Sequence, residues 1–204
     1  LTYGHISDWN VSQVTNMHAT FRHRNTFDEN ITGWDVSNVT TMNQMFDGAN
    51  TFNQPIGDWN VSSVTNMQDM FRSAMDFNQS IGNWNTSSVT TMETMFNNAL
   101  AFDQNLSSWD VSKVTSMRHM FKSTPFNQPI GNWNVSSVTA MHHMFYGAAS
   151  FDQDISDWNV SAVNELTDMF TNANALSNAN KGNIHKSFST NSNWPYPSWS
   201  AYAV

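Results

Sequence analysis

The sequence predicts an α/β repeat solenoid of seven coils of about 25 residues, with a parallel sheet on one face, short helices or 3-10 turns on the other, and a C-terminal cap. A Trp recurs at intervals of 25, 25, 25, 25, 24 and 25 residues, at Trp9, Trp34, Trp59, Trp84, Trp109, Trp133 and Trp158. Other residues keep their distance from this Trp in nearly every repeat. A repeat that cannot bury its own apolar face stacks on its neighbours, so residues 1–176 are predicted to form the solenoid and residues 177–204 to cap it.

The apolar columns predict the core, with positions counted from the Trp. Val stands at +2 and at +5, Met at +8, Phe at +12, and a small residue, usually Ala, at +15. The exceptions are few: Thr86 replaces Val at +2, Leu166 replaces Met at +8, and Arg24 and Thr124 replace Ala at +15. Because Arg24 belongs to the first repeat, we expect that end of the stack to be less tightly packed.

Each repeat contains two different local patterns. The stretch Ile-x-x-Trp-[Asp/Asn]-Val-Ser alternates apolar and polar residues, which predicts a short strand with Trp and Val pointing inward. The stretch Val-Thr-x-Met-x-x-Met-Phe-x-x-Ala predicts a short helix or 3-10 turn with one buried stripe, and the Thr at +6 is placed to cap it. One strand and one short helical side per repeat is the plan of a leucine-rich repeat.

The combined motif resembles a known family. The pattern W-[DN]-V-S-x-V-T-x-M-x-x-M-F-x-x-A-x-x-F-[ND]-Q-x-I-[GS]-x-W, over residues 6–176, is similar to the bacterial surface-protein repeat of the DUF285 type, which is related to BspA-like leucine-rich repeats. The resemblance implies a secreted, lipid-anchored or adhesin-borne protein. It implies no ligand, since most members of that family have no assigned activity.

Composition excludes several classes of function. The net charge is −8, and 8 Lys and Arg are too few to neutralise a nucleic-acid backbone, so neither nucleic acid nor an anionic membrane is an expected partner. No apolar run is long enough to span a bilayer. The absence of Cys excludes disulfides and thiolate chemistry. Because the chain opens inside a repeat, we expect a processed or excised fragment of a larger protein.

Polar columns on either side of the Trp form the predicted binding site. Asp and Asn interchange at −1 and +1, and both side chains supply the oxygen ligands that Ca²⁺ accepts. The candidate Ca²⁺ ladder consists of Asp8, Asn10, Asp35, Asp58, Asn60, Asn83, Asn85, Asp110, Asn132, Asn134, Asp157 and Asn159. A third polar column follows the second Phe of the first six repeats, at Asp28, Asn53, Asn78, Asp103, Asn127 and Asp152. The alternative is that these columns only form hydrogen bonds within and between coils.

The histidines form no repeated column. For His119, His142 and His143 the favoured interpretation is exposed polar positions, and a zinc site between adjacent coils is the alternative. No spacing marks a catalytic triad or a converging acid–base pair, so the sequence predicts no enzyme.

The predicted function is therefore a non-enzymatic extracellular module for adhesion or protein–protein interaction. Ca²⁺ along the ladder would stiffen the sheet face or join two copies into a homodimer through it. The alternative is a glycan-binding module at a cell surface, which would use the aromatic residues Tyr3 and Tyr146 and the segment Trp194–Trp199.

Overall fold

Regular secondary structure is sparse. The structure is a computed structural model that describes residues 4–203. Its elements are a 3-10 helix at Ile6–Asp8, helix α1 at Asn178–Phe188, and a second 3-10 helix at Pro197–Tyr202. Over this range no strand forms, and none of the helices is long and apolar enough to cross a membrane.

The predicted α/β, leucine-rich-repeat-like solenoid with a parallel sheet and short helices is wrong. Neighbouring repeats in the described part of the chain share only isolated parallel bridges, which join position +7 of one repeat to +7 of the next. These bridges are Asn16 to Thr41, Thr41 to Asn66, Asn66 to Thr91, Thr91 to Ser116, Ser116 to Ala140 and Ala140 to Glu165. The repeats are instead runs of turns stacked on one another.

The helix is absent because two residues in each repeat have left-handed backbone. Position +10 has a positive φ in all seven repeats, and position +14 does as well. In the second repeat these residues are Gln44, with φ 58°, and Gly48, with φ 70°. A right-handed helix cannot continue through a left-handed residue. Single turns form between them, such as Asp47 N–H to Gln44 O at 3.2 Å, but they do not propagate.

Backbone amides that would bond within a helix donate instead to carbonyl groups of the next repeat. Gln44 N–H donates to Gln68 O at 2.9 Å, and Phe46 N–H donates to Met70 O at 2.9 Å. The Thr at +6 bonds to the preceding repeat instead. Both the amide and the hydroxyl of Thr40 donate to Thr15 O, at 2.8 and 3.1 Å. The prediction that this Thr caps a helix is therefore wrong, and its side chain joins repeats instead.

The strand around the Trp is absent because turns interrupt it. Trp34 N–H donates to Ile31 O at 3.1 Å and Val39 N–H donates to Val36 O at 2.9 Å. In this part of each repeat the Trp side chain makes the hydrogen bond to the neighbouring repeat. The indole N–H of Trp84, for example, donates to Ile56 O at 3.1 Å. The same contact recurs for Trp34, Trp109, Trp133 and Trp158.

The predicted core columns are confirmed. Trp, Val, Met, Phe and Ala of the repeat motif are buried from the second repeat onward, and they form one continuous apolar cluster along the stack. The Phe rings lie in columns: Phe46 stacks on Phe71 with a centroid separation of 5.5 Å and on Phe52 of its own repeat at 3.9 Å. The first repeat is looser, and Trp9 there is 45% exposed.

Residues 177–203 cover the last repeat. Ser177 caps helix α1 by accepting a hydrogen bond from Asn180 N–H, and Ile184 and Phe188 of this helix are fully buried. Asn191 donates to the carbonyls of Val160 and Val163, at 2.8 and 2.7 Å. These two hydrogen bonds fasten the C-terminal segment to the last repeat.

Candidate functional sites

The Trp-flanking columns lie on the outside of the stack. All twelve predicted ladder residues are exposed, whereas the Trp between each pair is buried from the second repeat onward. The isolated bridges fix the register between repeats, so equivalent positions follow one another along one face. This face is built from turns, so the homodimer predicted through a sheet face has no sheet on which to form.

At +1, the side-chain oxygen turns back onto its own repeat. Asn60 Oδ1 accepts from the amide and the hydroxyl of Ser62, at 3.2 and 2.7 Å. Such Asx turns hold the side chain in one orientation. The same contact to the Ser two residues later is made by Asn10, Asp35, Asn85, Asp110, Asn134 and Asn159.

The two carboxylates of the +1 column keep their charge at neutral pH. Hydrogen bonds from the hydroxyl and the amide of Ser37 lower the pKa of Asp35. Those from Ser112 lower the pKa of Asp110 in the same way, with a further contribution from Lys113. Asn precedes and follows each of these residues in the column, so no carboxylate at +1 has another as its direct neighbour.

The −1 column contains a shallow polar depression. Asp58 and Asn83, which belong to consecutive repeats, line a cavity of about 220 Å³ together with Pro55, Gln79 and Ser80. Further along, Asn132 donates to Ser107 O at 2.8 Å, which links two repeats. The other two members of this column, Asp8 and Asp157, lie near opposite ends of the stack. Within residues 4–203 the carboxylates of these columns do not gather in threes. The Ca²⁺ ladder therefore stays a prediction.

The third polar column has a structural role. Asp28 Oδ1 accepts from Asn53 N–H at 2.9 Å, and Asn53 Oδ1 accepts from Asn78 N–H at 3.0 Å. The series continues to Asp152, which accepts from Ser177 N–H and so extends the ladder to helix α1. Side-chain oxygens thus replace the carbonyls of a sheet at this edge.

The aromatic residues of the glycan-binding alternative are largely engaged in packing. Trp199 is 9% exposed, and Tyr196 accepts a hydrogen bond from Phe170 N–H at 2.8 Å. Trp194 is half-buried, and its indole N–H is bonded to His185 Nδ1 at 3.0 Å. Tyr146 is also half-buried, with the ammonium group of Lys122 5.2 Å from its ring centroid. Tyr3 lies outside the described residues.

Three histidines come together between the fifth and sixth repeats. His119 and His143 both stand at +10, and His142 stands beside them at +9. One ring nitrogen from each of the three residues lies within 4.8 Å of those of the other two. The rings meet edge to face, with centroid separations of 5.0 Å for His119 and His142 and 4.9 Å for His119 and His143. Among the residues that the structure describes, this is the one such cluster of three potential metal ligands.

Two ring nitrogens of this cluster of residues are buried without a hydrogen-bond partner, His119 Nε2 and His143 Nδ1. The third ring is held from both sides. His142 Nδ1 lies 2.7 Å from Glu165 Oε2, and Arg118 Nε donates to His142 Nε2 at 3.0 Å. His143 Nε2 lies 3.7 Å from Asp168 Oδ2. Glu165 thus contacts His142 through Nδ1, and Asp168 lies beside His143 Nε2, the other nitrogen of the ring whose Nδ1 has no partner.

Burial keeps two of the imidazoles uncharged. Desolvation, together with the nearby charges of His142, His143, Lys122 and Arg118, lowers the pKa of His119 to about 4. Desolvation also lowers the pKa of His143, and the neighbouring Asp168 opposes this shift. Both rings therefore offer lone pairs at neutral pH.

The exposed-position interpretation of these histidines is wrong, since all three are half-buried and in mutual contact. The repeat spacing could have predicted this contact. His119 and His143 occupy the same position in consecutive repeats, which places them side by side. Because His does not recur at this position in every repeat, the repeated columns of the sequence do not identify the cluster.

Comparison with known proteins places the chain in a family. No curated protein sequence matches it. The family described as "Mycoplasma protein of unknown function, DUF285" matches residues 2–109 and residues 79–184, two overlapping segments that together span most of the chain. This agrees with the resemblance carried by the repeat motif, and the chain belongs to the DUF285 family.

Proposed function

We propose that this chain is a non-enzymatic repeat module that binds a protein or glycan partner at a cell surface, outside the cell. The observation that carries the proposal is the exposed pair of polar columns on either side of the buried Trp. Every repeat contributes to it, and every +1 side chain is held by its own Ser. The resulting face offers hydrogen-bond acceptors and a few charges at a fixed spacing.

Order in this face favours binding by a large partner. Side chains that are already fixed lose less conformational entropy when a partner orders them. The Asx turns fix the +1 column within each repeat, and the bridges fix the distance between repeats. A partner that spans several repeats would gain several weak contacts at once, and no single repeat would suffice.

Ca²⁺ bound along the columns is the second part of the proposal. Exposed Asp and Asn oxygens are suitable ligands, and the depression between Asp58 and Asn83 brings a carboxylate and an amide of consecutive repeats to one place. The ion would stiffen this face or bridge it to a partner, including a second copy of the chain. The glycan module built on aromatic side chains receives less support, because Trp199 is 9% exposed.

The test of the binding face uses a residue type that already occurs at the same position in another repeat. Ser108 stands at −1 in the fifth repeat, where its hydroxyl donates to Gly82 O, so Ser is compatible with the stack. The triple variant Asp58→Ser, Asn83→Ser and Asn132→Ser should fold with an unchanged far-ultraviolet spectrum. On glycan arrays and immobilised extracellular-matrix proteins, it should lose binding that the unmodified chain shows. Binding that persists unchanged in the variant would contradict this choice of face.

The Ca²⁺ proposal has its own measurement. Metal-free protein is melted and sized by light scattering with Ca²⁺, with Mg²⁺, and with neither ion. We expect Ca²⁺ alone to raise the melting temperature, because an ion that binds only the folded state stabilises it. The triple variant should lose this increase. Identical melting curves in all three conditions would exclude a structural Ca²⁺ ion.

A further inference from the structure

We propose that His119, His142 and His143 bind a divalent late transition-metal ion, with Zn²⁺ as the reference ion, between the fifth and sixth repeats. Three imidazole nitrogens with a fourth position left open suit Zn²⁺, Cu²⁺, Ni²⁺ or Co²⁺ better than they suit Ca²⁺ or Mg²⁺, which prefer oxygen. The site is separate from the polar columns and does not depend on the binding function proposed above.

The unpartnered nitrogens define two of the ligands. His119 Nε2 and His143 Nδ1 are buried and lack a hydrogen-bond partner, a costly arrangement for polar atoms unless another ligand satisfies them. In a tetrahedral zinc site with bonds of about 2.0–2.1 Å, ligand nitrogens lie about 3.4 Å apart. One nitrogen of each ring already lies within 4.8 Å of one nitrogen of the other two, so side-chain rotations would bring three ligand nitrogens to that distance.

The third ligand is His142 Nε2, because its Nδ1 is engaged by Glu165 at 2.7 Å. A carboxylate on the far nitrogen of a metal-binding imidazole fixes the tautomer and raises the basicity of the ligating nitrogen. Asp168, which lies 3.7 Å from His143 Nε2, is placed to orient the second ring in the same way. Glu165 and Asp168 are positioning residues in this proposal, since they act through the histidines.

Arg118 contacts the nitrogen of His142 that the proposal assigns to the metal. Its Nε donates to His142 Nε2 at 3.0 Å, and it lies 3.9 Å from Glu93 and 3.8 Å from Glu165. The bound ion would displace this one hydrogen bond, and Arg118 would keep its two carboxylate neighbours. Arg118 therefore competes with the metal, and its removal should strengthen metal binding.

The repeats themselves supply variants that preserve the backbone. Position +10 is left-handed in every repeat, and it holds Thr94 and Gln44 elsewhere in the stack. His119→Thr and His143→Gln therefore remove ligands without adding a residue foreign to that position. The matched control is His18→Gln, because His18 stands at +9 in the first repeat, the position equivalent to His142, and lies far from the cluster.

The experiment is a titration of untagged, metal-free protein with Zn²⁺, followed by calorimetry and by competition with a chromophoric chelator. We expect one ion per chain for the unmodified protein and for His18→Gln, and loss of this binding in His119→Thr and in His143→Gln. Co²⁺ should give the visible absorption of a tetrahedral site. Glu165→Gln should weaken the affinity by about 10–100-fold at unchanged stoichiometry, and Arg118→Gln, which copies Gln68 at the same position, should strengthen it.

Two outcomes would overturn the proposal. One is the absence of Zn²⁺ binding by the unmodified, folded protein. The other is binding that His119→Thr and His143→Gln leave intact, which would place the ion elsewhere. Circular dichroism of each variant shows whether it is folded, and the gain expected from Arg118→Gln cannot arise from damage to the fold.

Discussion

A core residue in the interior of the stack contacts three repeats at once. Phe71 is fully buried and packs on Phe46 of the repeat before it, Phe96 of the repeat after it and Phe77 of its own, with centroid separations of 5.5, 5.7 and 4.0 Å. Aromatic pairs in offset stacks contribute beyond the area that they bury. Removal of one ring therefore disturbs two interfaces between repeats.

Phe71→Ala should lower the free energy of unfolding by about 3–5 kcal/mol, because it removes a buried ring and leaves a cavity. Leu100→Ala is the control, since Leu100 is 53% exposed and its truncation should change stability by less than about 0.5 kcal/mol. Urea unfolding followed by Trp fluorescence measures both. Equal losses in the two variants would show that the Phe column is not the core.

Left-handed positions give a second prediction for single residues. Ser73 has φ 54°, and its amide bonds to Asn97 O in the next repeat at 2.8 Å. Ser73→Val should destabilise the protein by about 1–2 kcal/mol, because an L-residue with a branched Cβ is strained there. Ser73→Asn should be close to neutral, since Asn98 and Asn172 occupy the same position. If the Ser73→Val variant has a higher melting temperature than the Ser73→Asn variant, the backbone at this position is not left-handed.

Burial could be predicted from the sequence at this scale, and backbone conformation could not. The spacing of Trp, Val, Met and Phe was enough to identify the inward side chains, since regular recurrence of large apolar residues requires burial. The left-handed positions were missed because +10 holds Gln, Asp, Thr, His and Ala in different repeats. The +14 column, with Gly, Asn and Ser, contained the better signal.

At the scale of elements, the C-terminal segment shows how the stack ends. Helix α1 follows directly from the third polar column: Asp152 Oδ1 accepts from Ser177 N–H at 2.9 Å and from Asn180 Nδ2 at 2.8 Å. The Asp152 side chain thus accepts hydrogen bonds from the start of helix α1 and also continues the third polar column. The aromatic residues of this segment then pack on Phe170 of the last repeat.

The pH dependence of this end follows from Asp152. Burial acts to raise its pKa, but hydrogen bonds from Ser177 and Asn180 and the charge of Lys181 outweigh burial and leave the pKa below its ordinary value. The folded state then binds its proton at lower pH than the unfolded chain, whose pKa is about 3.9. The stabilisation is present above that pH and is lost as the pH falls through the lowered pKa.

Asp152→Asn tests this directly, because Asn keeps an acceptor oxygen and stands at the same position in Asn53 and Asn78. Hydrogen exchange of the helix α1 amides should accelerate below about pH 4 in the unmodified protein and show less of this change in the variant. The exchange must first be corrected for the intrinsic pH dependence of amides. An identical pH profile for both proteins would rule out this role of Asp152.

The predicted helix and strand failed for one physical reason. The apolar spacing of Met, Met, Phe and Ala fits a helix, and that of Ile, Trp and Val fits a strand, but both patterns report only which side chains are inside. Asn, Asp and Ser next to the Trp favour Asx turns, and these turns break the strand. The candidate ladder residues were correctly expected to point outward, whereas the His cluster depends on contacts between two repeats.

For the whole molecule, stability is a property of neighbouring repeats. The apolar cluster extends from Val11 to Trp199, and the backbone hydrogen bonds between repeats in residues 4–203 join adjacent repeats. Such stacks gain stability from each interface between repeats. The exposed columns proposed as the binding face and the His cluster both require this register, because neither forms within one repeat.

The register can be measured directly by through-hydrogen-bond coupling between amide nitrogen and carbonyl carbon, in isotope-labelled, deuterated protein. The stack predicts coupling of Phe46 N to Met70 C′ and of Gln44 N to Gln68 C′, across adjacent repeats. Coupling of Phe46 N to Met42 C′ would instead show a helix in this segment, and would contradict the turn-built stack on which both proposed sites depend.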